Sequence, residues 1–225
     1  VGRKCGYITT VEAFDGVRHF YTGYTTPPLA QLKEIYAAME ANGCTDCVME
    51  VSSHAIHQNR VDFGEVTSFS GGAFTNISED HLDYHKTMEE YFRVKLSFAE
   101  RIAAEGMKAK GWEDNVPPEA GRKDFPPYIV CMDGGFAEEM LSACGRLPLN
   151  VVPVSFKKPF YDLSALPLVG DYNKSNVLVA AALAEAAGVS REAIQAAIPA
   201  LTPRWGRLEY VQSESKAKVY VDFAH

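Results

Sequence analysis

The chain has 225 residues, of which 47% are hydrophobic and 23% charged, as expected for a soluble globular protein that can bury a substantial core. Its formal net charge of −7 argues against a nucleic-acid-binding surface, because such surfaces are normally basic. No run approaches the ~18 apolar residues of a membrane span, and no signal peptide is recognisable. We therefore expect neither a nucleic-acid nor a membrane partner. An anionic substrate stays compatible with this charge, since a few placed cations suffice to bind one.

The cysteines are scattered and odd in number: Cys5, Cys44, Cys47, Cys131 and Cys144. This usage predicts reduced thiols in a cytoplasmic protein. The single Cys44-Thr-Asp-Cys47 motif lacks a second metal-binding pair, so we interpret it as a helix-to-strand connection and keep zinc or redox chemistry as the alternative. Because the sequence starts at Val1 without Met and stops directly after a strand-like run, we expect it to be cut at both ends.

The first half of the chain predicts two strand regions on either side of a helix. A hairpin is expected over residues 5–24 around an Asp15-Gly16 turn, followed by a helix between Pro28 and Asn42. Strands are expected over residues 47–51 and over residues 66–77, the latter broken at Gly71-Gly72. The Ser52-Ser53-His54 segment leads off the carboxyl end of the first of these strands.

A helix with a lysine in its apolar stripe follows. Thr87 and Glu90 form a capping-box pattern at its start, and the stripe runs to Ile102. Lys95 falls within that stripe, where it must reach solvent, pair with an anion or lose its charge. A neutral amine can take up carbon dioxide, and the resulting carbamate is an oxygen ligand suited to Mg²⁺. A solvent-reaching lysine is the alternative.

The second half predicts a loop over residues 106–127 and then alternating strands and helices. Strands are expected over residues 128–132, 151–155, 207–212 and 217–223, and helices over residues 136–144, 173–187 and 190–200. This alternation predicts an α/β fold with a mostly parallel central sheet, helices on both faces and a smaller irregular β region at one edge.

Polar residues gather at the predicted strand ends. They are Glu50, Ser52, Asn76, His81 and Asp222. Because ligands bind at the carboxyl ends of strands in such sheets, these positions predict an active site.

Six blocks of the sequence together resemble the central domain of the Mur ligases. They are Thr25-Thr26-Pro27; Met49 to Ala55 with Gln58 and Arg60; Phe74-Thr75-Asn76 through Asp80-His81-Leu82-Asp83-Tyr84-His85 to Lys95; Gly170 to Asn176; Gly206 to Glu209; and Val221 to His225. The blocks occur in the same order as in the family, and their amino-acid sequences are most similar to those of the UDP-N-acetylmuramoyl-tripeptide synthetase (MurE-type) branch. The resemblance implies a P-loop-type fold.

The resemblance implies an ATP-dependent peptide ligase of peptidoglycan synthesis in the cytoplasm. It would join an amino acid to UDP-N-acetylmuramoyl-dipeptide through an acyl phosphate, with ATP as co-substrate and Mg²⁺ as cofactor. In the family a C-terminal domain selects the incoming amino acid. That domain is not in this sequence, so the sequence does not specify which amino acid is added. The implied partners are these substrates and the N- and C-terminal domains of a longer chain.

The resemblance also assigns roles to individual residues. Glu50, His81 and a carbamylated Lys95 match the catalytic and metal-binding positions. Thr25, Thr26, Ser52, Gln58 and Arg60 match substrate-binding positions, and Asn173, Asn176, Arg207 and Asp222 match ATP-binding positions. Structural roles are the alternatives: a surface ion pair for Glu50, a capping or core histidine for His81, helix caps for Thr25, Thr26 and the two asparagines, and a solvated side chain for Arg60.

The chain departs from the family in two places. No GxxxxGK[ST] motif occurs, so the phosphate-binding P-loop is missing from this sequence. Residues 106–170 match poorly, with Cys131-Met-Asp133-Gly-Gly in place of the family's Asn-Ala-Asp-Asp. We assign residues 1–205 to the central domain and residues 206–225 to a hinge and the start of the next domain, and we expect no ligase activity from these 225 residues alone.

Three other readings stay open. A non-catalytic paralogue would keep the pocket as a nucleotide-binding module. A folylpolyglutamate-synthase-like ligase belongs to the same superfamily as the Mur ligases, although the sequence from Asp80 to His85 favours the Mur branch. A carbamate-bridged metal hydrolase needs more histidine ligands than six scattered residues offer and is least favoured.

Overall fold

The computed structural model describes residues 2–64, 68–112, 121–203, 209–211 and 219–221. The helices are α1 (Leu29–Ala41), α2 (Ser53–His57), α3 (Leu82–His85), α4 (Met88–Ala109), α5 (Ala137–Cys144), α6 (Asp171–Ala186) and α7 (Arg191–Ala197), with short 3₁₀ turns at Arg122–Asp124 and Ile198–Ala200. The strands are β1 (Cys5–Ile8), β2 (Ala13–Phe14), β3 (His19–Phe20), β4 (Asp46–Met49), β5 (Gly72–Phe74), β6 (Pro127–Cys131), β7 (Asn150–Val154), β8 (Glu209–Val211) and β9 (Val219–Val221).

The parallel strands lie in two sheets. In the first sheet the order is β3-β2-β1-β4, with β4 parallel to β1 and the short β2 and β3 antiparallel. The second sheet has the order β5-β6-β7 and is parallel throughout. Strands β8 and β9 form a separate antiparallel pair. The mixed α/β class predicted from the sequence is confirmed, with the antiparallel β2–β3 region at one edge.

Strand β6 is covered by helices on both faces. Tyr128 and Val130 belong to one apolar cluster with residues of α4 and α5, such as Ile102 and Met140. Ile129, between them in sequence, belongs to a second cluster with residues of α6 and α7. Successive side chains of a strand point to opposite faces, so a run of buried residues in β6 requires helices above and below.

Helix α4 follows the predicted pattern and is longer than predicted. Thr87 caps it by accepting a hydrogen bond from Glu90 N at 3.1 Å, and the buried residues include Tyr91, Phe98 and Ile102. The helix continues to Ala109, so the prediction of a loop from residue 106 was wrong. Its apolar repeat extends to the buried Met107, one turn beyond the stripe seen in the sequence.

Other elements also differ from the sequence prediction. Residues 5–24 form three short strands: the predicted hairpin turn at Asp15-Gly16 is present between β2 and β3, and β1 adds a further strand antiparallel to β2. Strand β5 is confined to Gly72–Phe74, and a Cβ atom at Gly72 would lie 2.4 Å from Ile102 Cδ1, so glycine lets α4 approach the sheet there. Helices α2 and α3, which have only five and four residues, were not predicted from the sequence. A helix of about one turn has too few apolar residues to show a helical repeat.

None of the helices in the described ranges combines the length and apolar character that crossing a bilayer requires. The predicted ATP-binding residues Arg207 and Asp222 lie outside the described residues, as does His225.

Candidate functional site

Thr26 joins the segment before α1 to the carboxyl end of β4. Its side chain is 1% exposed, and Oγ1 donates to the Glu50 carbonyl at 2.9 Å and accepts from Ser52 N at 2.9 Å. Ser52 in turn caps α2 by accepting from Ala55 N at 3.2 Å. Thr26 and Ser52, both predicted as substrate-binding residues, are thus neighbours at one sheet edge.

The Glu50 carboxylate is exposed at the same edge. Its Oε2 atom accepts hydrogen bonds from Thr10 N at 2.8 Å and from Thr10 Oγ1 at 2.6 Å. Thr10 Oγ1 also lies 3.1 Å from Thr25 Oγ1. The other oxygen, Oε1, has no hydrogen-bond donor among the described residues. Glu50 therefore keeps one oxygen available for a ligand, and it forms no ion pair with a described residue.

Arg60 lies against the same segment. Its Nη1 atom donates to the Thr26 carbonyl at 3.1 Å, and Nε and Nη2 donate to Gln58 Oε1 at 2.9 and 2.6 Å. The guanidinium carbon is 5.6 Å from the centre of the Tyr24 ring. No carboxylate of the described residues pairs with Arg60, so its positive charge is available to an anion.

His81 and His85 lie in an aromatic cluster formed by α2, α3 and α4. The His81 ring centre is 5.0 Å from that of His54 and 6.0 Å from that of Tyr91. His85 is buried, stacks on Tyr91 at 4.8 Å, and has Nε2 2.8 Å from Ser53 Oγ. His81 is held in a left-handed backbone conformation with φ 57°, which is uncommon outside glycine.

Lys95 points into this cluster from α4. The residue is half-buried, and its Nζ atom lies 5.1 Å from the centre of the Tyr91 ring. No carboxylate in the described ranges is close enough to form an ion pair with it. Burial lowers the pKa of the Lys95 ammonium below its usual value, with no opposing charge to raise it. Deprotonation of Lys95 is therefore easier than that of an exposed lysine.

The predicted ligands fall into two groups bridged by α2. His81 and Lys95 share Tyr91 as a neighbour, whereas the contacts of Glu50 are with Thr10. Over the described ranges, no group of three or more His, Cys, Asp or Glu side chains is arranged to hold a metal ion. The donor chemistry nevertheless fits Mg²⁺, because Glu50 keeps a free carboxylate oxygen and a carbamate on Lys95 would add another.

Sequence reasoning missed two residues that organise this region. Thr10 fixes the Glu50 carboxylate, and the Tyr84 hydroxyl lies 2.8 Å from His57 Nδ1 and 3.2 Å from Gln58 Nε2. An open pocket of about 390 Å³ adjoins Tyr84, with Lys86 and Arg93 on its walls. No spacing rule pairs residue 10 with residue 50, so these contacts could not be read from the sequence.

The predicted adenine-reading residues stand at the start of α6. Asn173 is half-buried and its Nδ2 atom donates to the Val169 carbonyl at 2.7 Å, which fixes the amide. Asn176 is exposed, three residues further along the same helix, so the two side chains lie on neighbouring positions of one face. Gly170, just before the helix, has φ 97°, a conformation that favours glycine.

We expect Thr26→Val to lower the free energy of unfolding by about 1–3 kcal/mol, because it leaves the part-buried Glu50 carbonyl and Ser52 N–H without the hydroxyl that pairs with both. Chemical denaturation measures the change. Thr26→Ser keeps the hydroxyl and is the matched control. An unchanged free energy of unfolding in Thr26→Val would show that the two hydrogen bonds do not stabilise the fold.

The parallel α/β layers place Thr25, Thr26, Glu50 and Asn173 at sheet edges and helix starts, and the sequence matches the Mur ligase middle domain family over residues 2–184. The chain belongs to this family.

The most similar curated relatives include UDP-N-acetylmuramoyl-L-alanyl-D-glutamate–2,6-diaminopimelate ligases. That of Zymomonas mobilis is 34% identical, and that of Brucella melitensis is 30% identical; each match covers 100% of this chain and 46% of the relative. The chain therefore spans about half the length of the curated relatives that it matches.

Solved structures share the fold. A UDP-N-acetylmuramoyl-L-alanyl-D-glutamate–2,6-diaminopimelate ligase superimposes with a TM-score of 0.69 at 20% identity, covering 94% of this chain and 43% of the other. MurF from Acinetobacter baumannii gives a TM-score of 0.55 at 19% identity, covering 77% of this chain and 38% of the other. These likenesses support the layered α/β architecture that the sequence predicted.

Proposed function

We propose that this chain is the central domain of an ATP-dependent peptide ligase that adds an amino acid to UDP-N-acetylmuramoyl-L-alanyl-D-glutamate in peptidoglycan precursor synthesis. The observation that carries the proposal is the half-buried Lys95, whose amine lies over Tyr91, a ring that His81 also contacts, without an acidic partner in the described ranges. The names of the relatives that match the whole chain supply the substrate class.

We assign Glu50, His81 and a carbamylated Lys95 to the binding of Mg²⁺. When bound, the ion would neutralise charge between the substrate carboxylate and the ATP phosphates, which otherwise repel each other. Glu50 supports this role through its free Oε1 atom, and Thr10 keeps the carboxylate in place. Lys95 loses its proton at low cost because burial already disfavours the ammonium.

Thr25, Thr26, Ser52, Gln58 and Arg60 would bind the UDP-muramoyl peptide. Arg60 would attract its anionic groups, and the Gln58 and Thr26 contacts would hold the guanidinium in position. The substrate carboxylate attacks the γ-phosphate of ATP, ADP leaves, and an acyl phosphate forms. The incoming amine then displaces phosphate and gives up a proton, which completes the amide bond.

Asn173 and Asn176 would bind the adenine, since each amide offers both a donor and an acceptor. Arg207 and Asp222 are proposed to contact the ATP phosphates and ribose. We place residues 1–205 in the central domain and residues 206–225 in a hinge to a following domain. The part of the central domain that precedes residue 1 would supply the P-loop, further domains would bind the uridine part and select the amino acid, and the five free cysteines support the cytoplasm as the site of action.

The test is a ligation assay with the complete protein, Mg²⁺-ATP, UDP-N-acetylmuramoyl-L-alanyl-D-glutamate and either 2,6-diaminopimelate or lysine. We expect phosphate release that depends on all three substrates. Glu50→Gln is expected to abolish release, whereas Glu34→Gln, an exposed glutamate on α1, is expected to retain it. ATP binding without amino-acid-dependent phosphate release would instead indicate a non-catalytic relative.

We expect Arg60→Lys to raise the KM for the UDP-muramoyl substrate by about tenfold, because lysine cannot reproduce the fork-shaped contact with Gln58 or the stacking on Tyr24. Steady-state kinetics with varied substrate measure this change. Arg146→Lys, an exposed position after α5, is the control. An unchanged KM would remove Arg60 from the proposed binding site.

A further inference from the structure

Asp133 connects the ends of two strands to helix α6. It follows β6, and its Oδ1 atom accepts from Ser155 Oγ at 2.5 Å, just beyond β7. Its Oδ2 atom accepts from Phe156 N at 2.9 Å and from Ser175 Oγ at 2.7 Å. One carboxylate thus receives hydrogen bonds from the β7 loop and from α6.

The loop after Asp133 also touches the end of β5. A Cβ atom at Gly134 would lie 2.8 Å from Asn76 Cβ, and one at Gly135 would lie 2.8 Å from the Ile77 carbonyl oxygen. Both positions therefore need glycine for the loop to pack this closely. Through these contacts Asp133 is anchored to the carboxyl ends of all three strands of the second sheet.

Asp133 is held in its ionised form. Burial alone would raise its pKa, but the hydrogen bonds from Ser155, Ser175 and Phe156 N outweigh burial and keep the pKa below its usual value. Bonds to an ionised acceptor are stronger than bonds between neutral groups. The hydrogen bond from Ser175 of α6 to Asp133 is therefore strong at neutral pH.

Ser175 is the point at which this anchor meets the helix. It is 7% exposed and lies between Asn173 and Asn176 in sequence. Because Ser175 is within the first two turns of α6, its position and rotation set where the two asparagine side chains point. A shift of the helix start would move both asparagines together.

We propose that Asp133 is a positioning residue for recognition of the nucleotide base: through Ser175 it fixes the start of α6, and with it Asn173 and Asn176, against the carboxyl edge of the β5-β6-β7 sheet. This inference rests on the proposed function, which supplies the role of the two asparagines. Asp133 itself does not contact the nucleotide in this arrangement.

The experiment compares Ser175→Ala with Ser155→Ala in the complete protein. Each variant removes one hydroxyl from the same carboxylate, but only the first cuts the link to α6. Binding of Mg²⁺-ATP and Mg²⁺-GTP is measured by calorimetry, together with KM for ATP, kcat and the melting temperature. Asp133→Asn, which keeps the shape and removes the charge, is the second variant should Ser175→Ala fold poorly.

We expect Ser175→Ala and Asp133→Asn to weaken ATP binding by about three- to tenfold and to reduce the preference for ATP over GTP, with kcat at saturating ATP nearly unchanged. Ser155→Ala should keep the wild-type preference. If wild type binds ATP and all three variants retain its base preference, the positioning role is overturned while the proposed function stands. If wild type binds no nucleotide, the proposed function itself is overturned.

Discussion

Lys95→Met is expected to reduce ligation by the complete protein at least about 100-fold while leaving the fold as stable as wild type or more stable. The activity falls because methionine cannot form a carbamate or bind a metal through oxygen. In buffer free of carbon dioxide the stability is not expected to fall, because Lys95 is then an ammonium without an ion-pair partner among the described residues, and its removal relieves a desolvation cost. Phosphate-release assays and thermal melting measure the two effects.

The pH dependence of this stability gain has a definite sign. The pKa of Lys95 is lowered by folding, so between the folded and unfolded pKa values the unfolded chain binds more protons and stability rises with pH. The advantage of Lys95→Met is therefore greatest below the folded-state pKa of Lys95 and disappears above the ordinary lysine pKa of about 10.4. Melting curves recorded over that range would show the two proteins converging.

Lys33→Met, at an exposed position on α1, is the control and should change neither property. Mass spectrometry of the native wild-type protein in bicarbonate should show the added mass of one carbon dioxide, absent from Lys95→Met. A fully active Lys95→Met protein would remove the carbamate from the mechanism. A marked fall in its melting temperature would instead indicate that Lys95 is a structural residue.

Ile129→Ala is expected to lower the free energy of unfolding by about 2–5 kcal/mol, because it opens a cavity at the centre of the molecule. Ile129 is 0% exposed and packs from β6 against the α6–α7 layer. Ile129→Val removes a single methylene and should cost about 0.5–1.5 kcal/mol. Urea denaturation of the three proteins gives the comparison.

A small loss for Ile129→Ala, equal to that for Ile129→Val, would mean that the helices of this layer close over the vacated space. Activity at low temperature should survive in both variants, since Ile129 contacts none of the proposed ligands. The two predictions thus separate a residue required for chemistry from one required for folding.

The long helices could be predicted because their evidence is local. The repeat from Tyr91 to Ile102 and the Thr87 cap are read within one segment, and the structure reproduces both. The buried residues Leu32, Ile35 and Met39 of α1 follow the same logic. In each case the spacing of apolar residues alone specifies which face is covered.

The candidate site could be predicted only as a set of residues, without its geometry. The strand-end rule placed Glu50 and Ser52 at one sheet edge, and the structure brings Thr26 to them. The hydrogen bond from Thr10 to Glu50 and the stacking of His85 on Tyr91 depend on how segments distant in sequence pack together. The one-turn helix α3, which orients His81, is too short to leave a periodic signal.

The alternation along β6 has a further consequence for how the protein opens. Ile129 faces one layer of helices, while Tyr128 and Val130 face the other. Neither layer of helices can detach without exposing side chains of β6, the strand on which both layers pack. The amide protons of β6 should therefore be among the last to exchange with heavy water, released only when the whole domain comes apart.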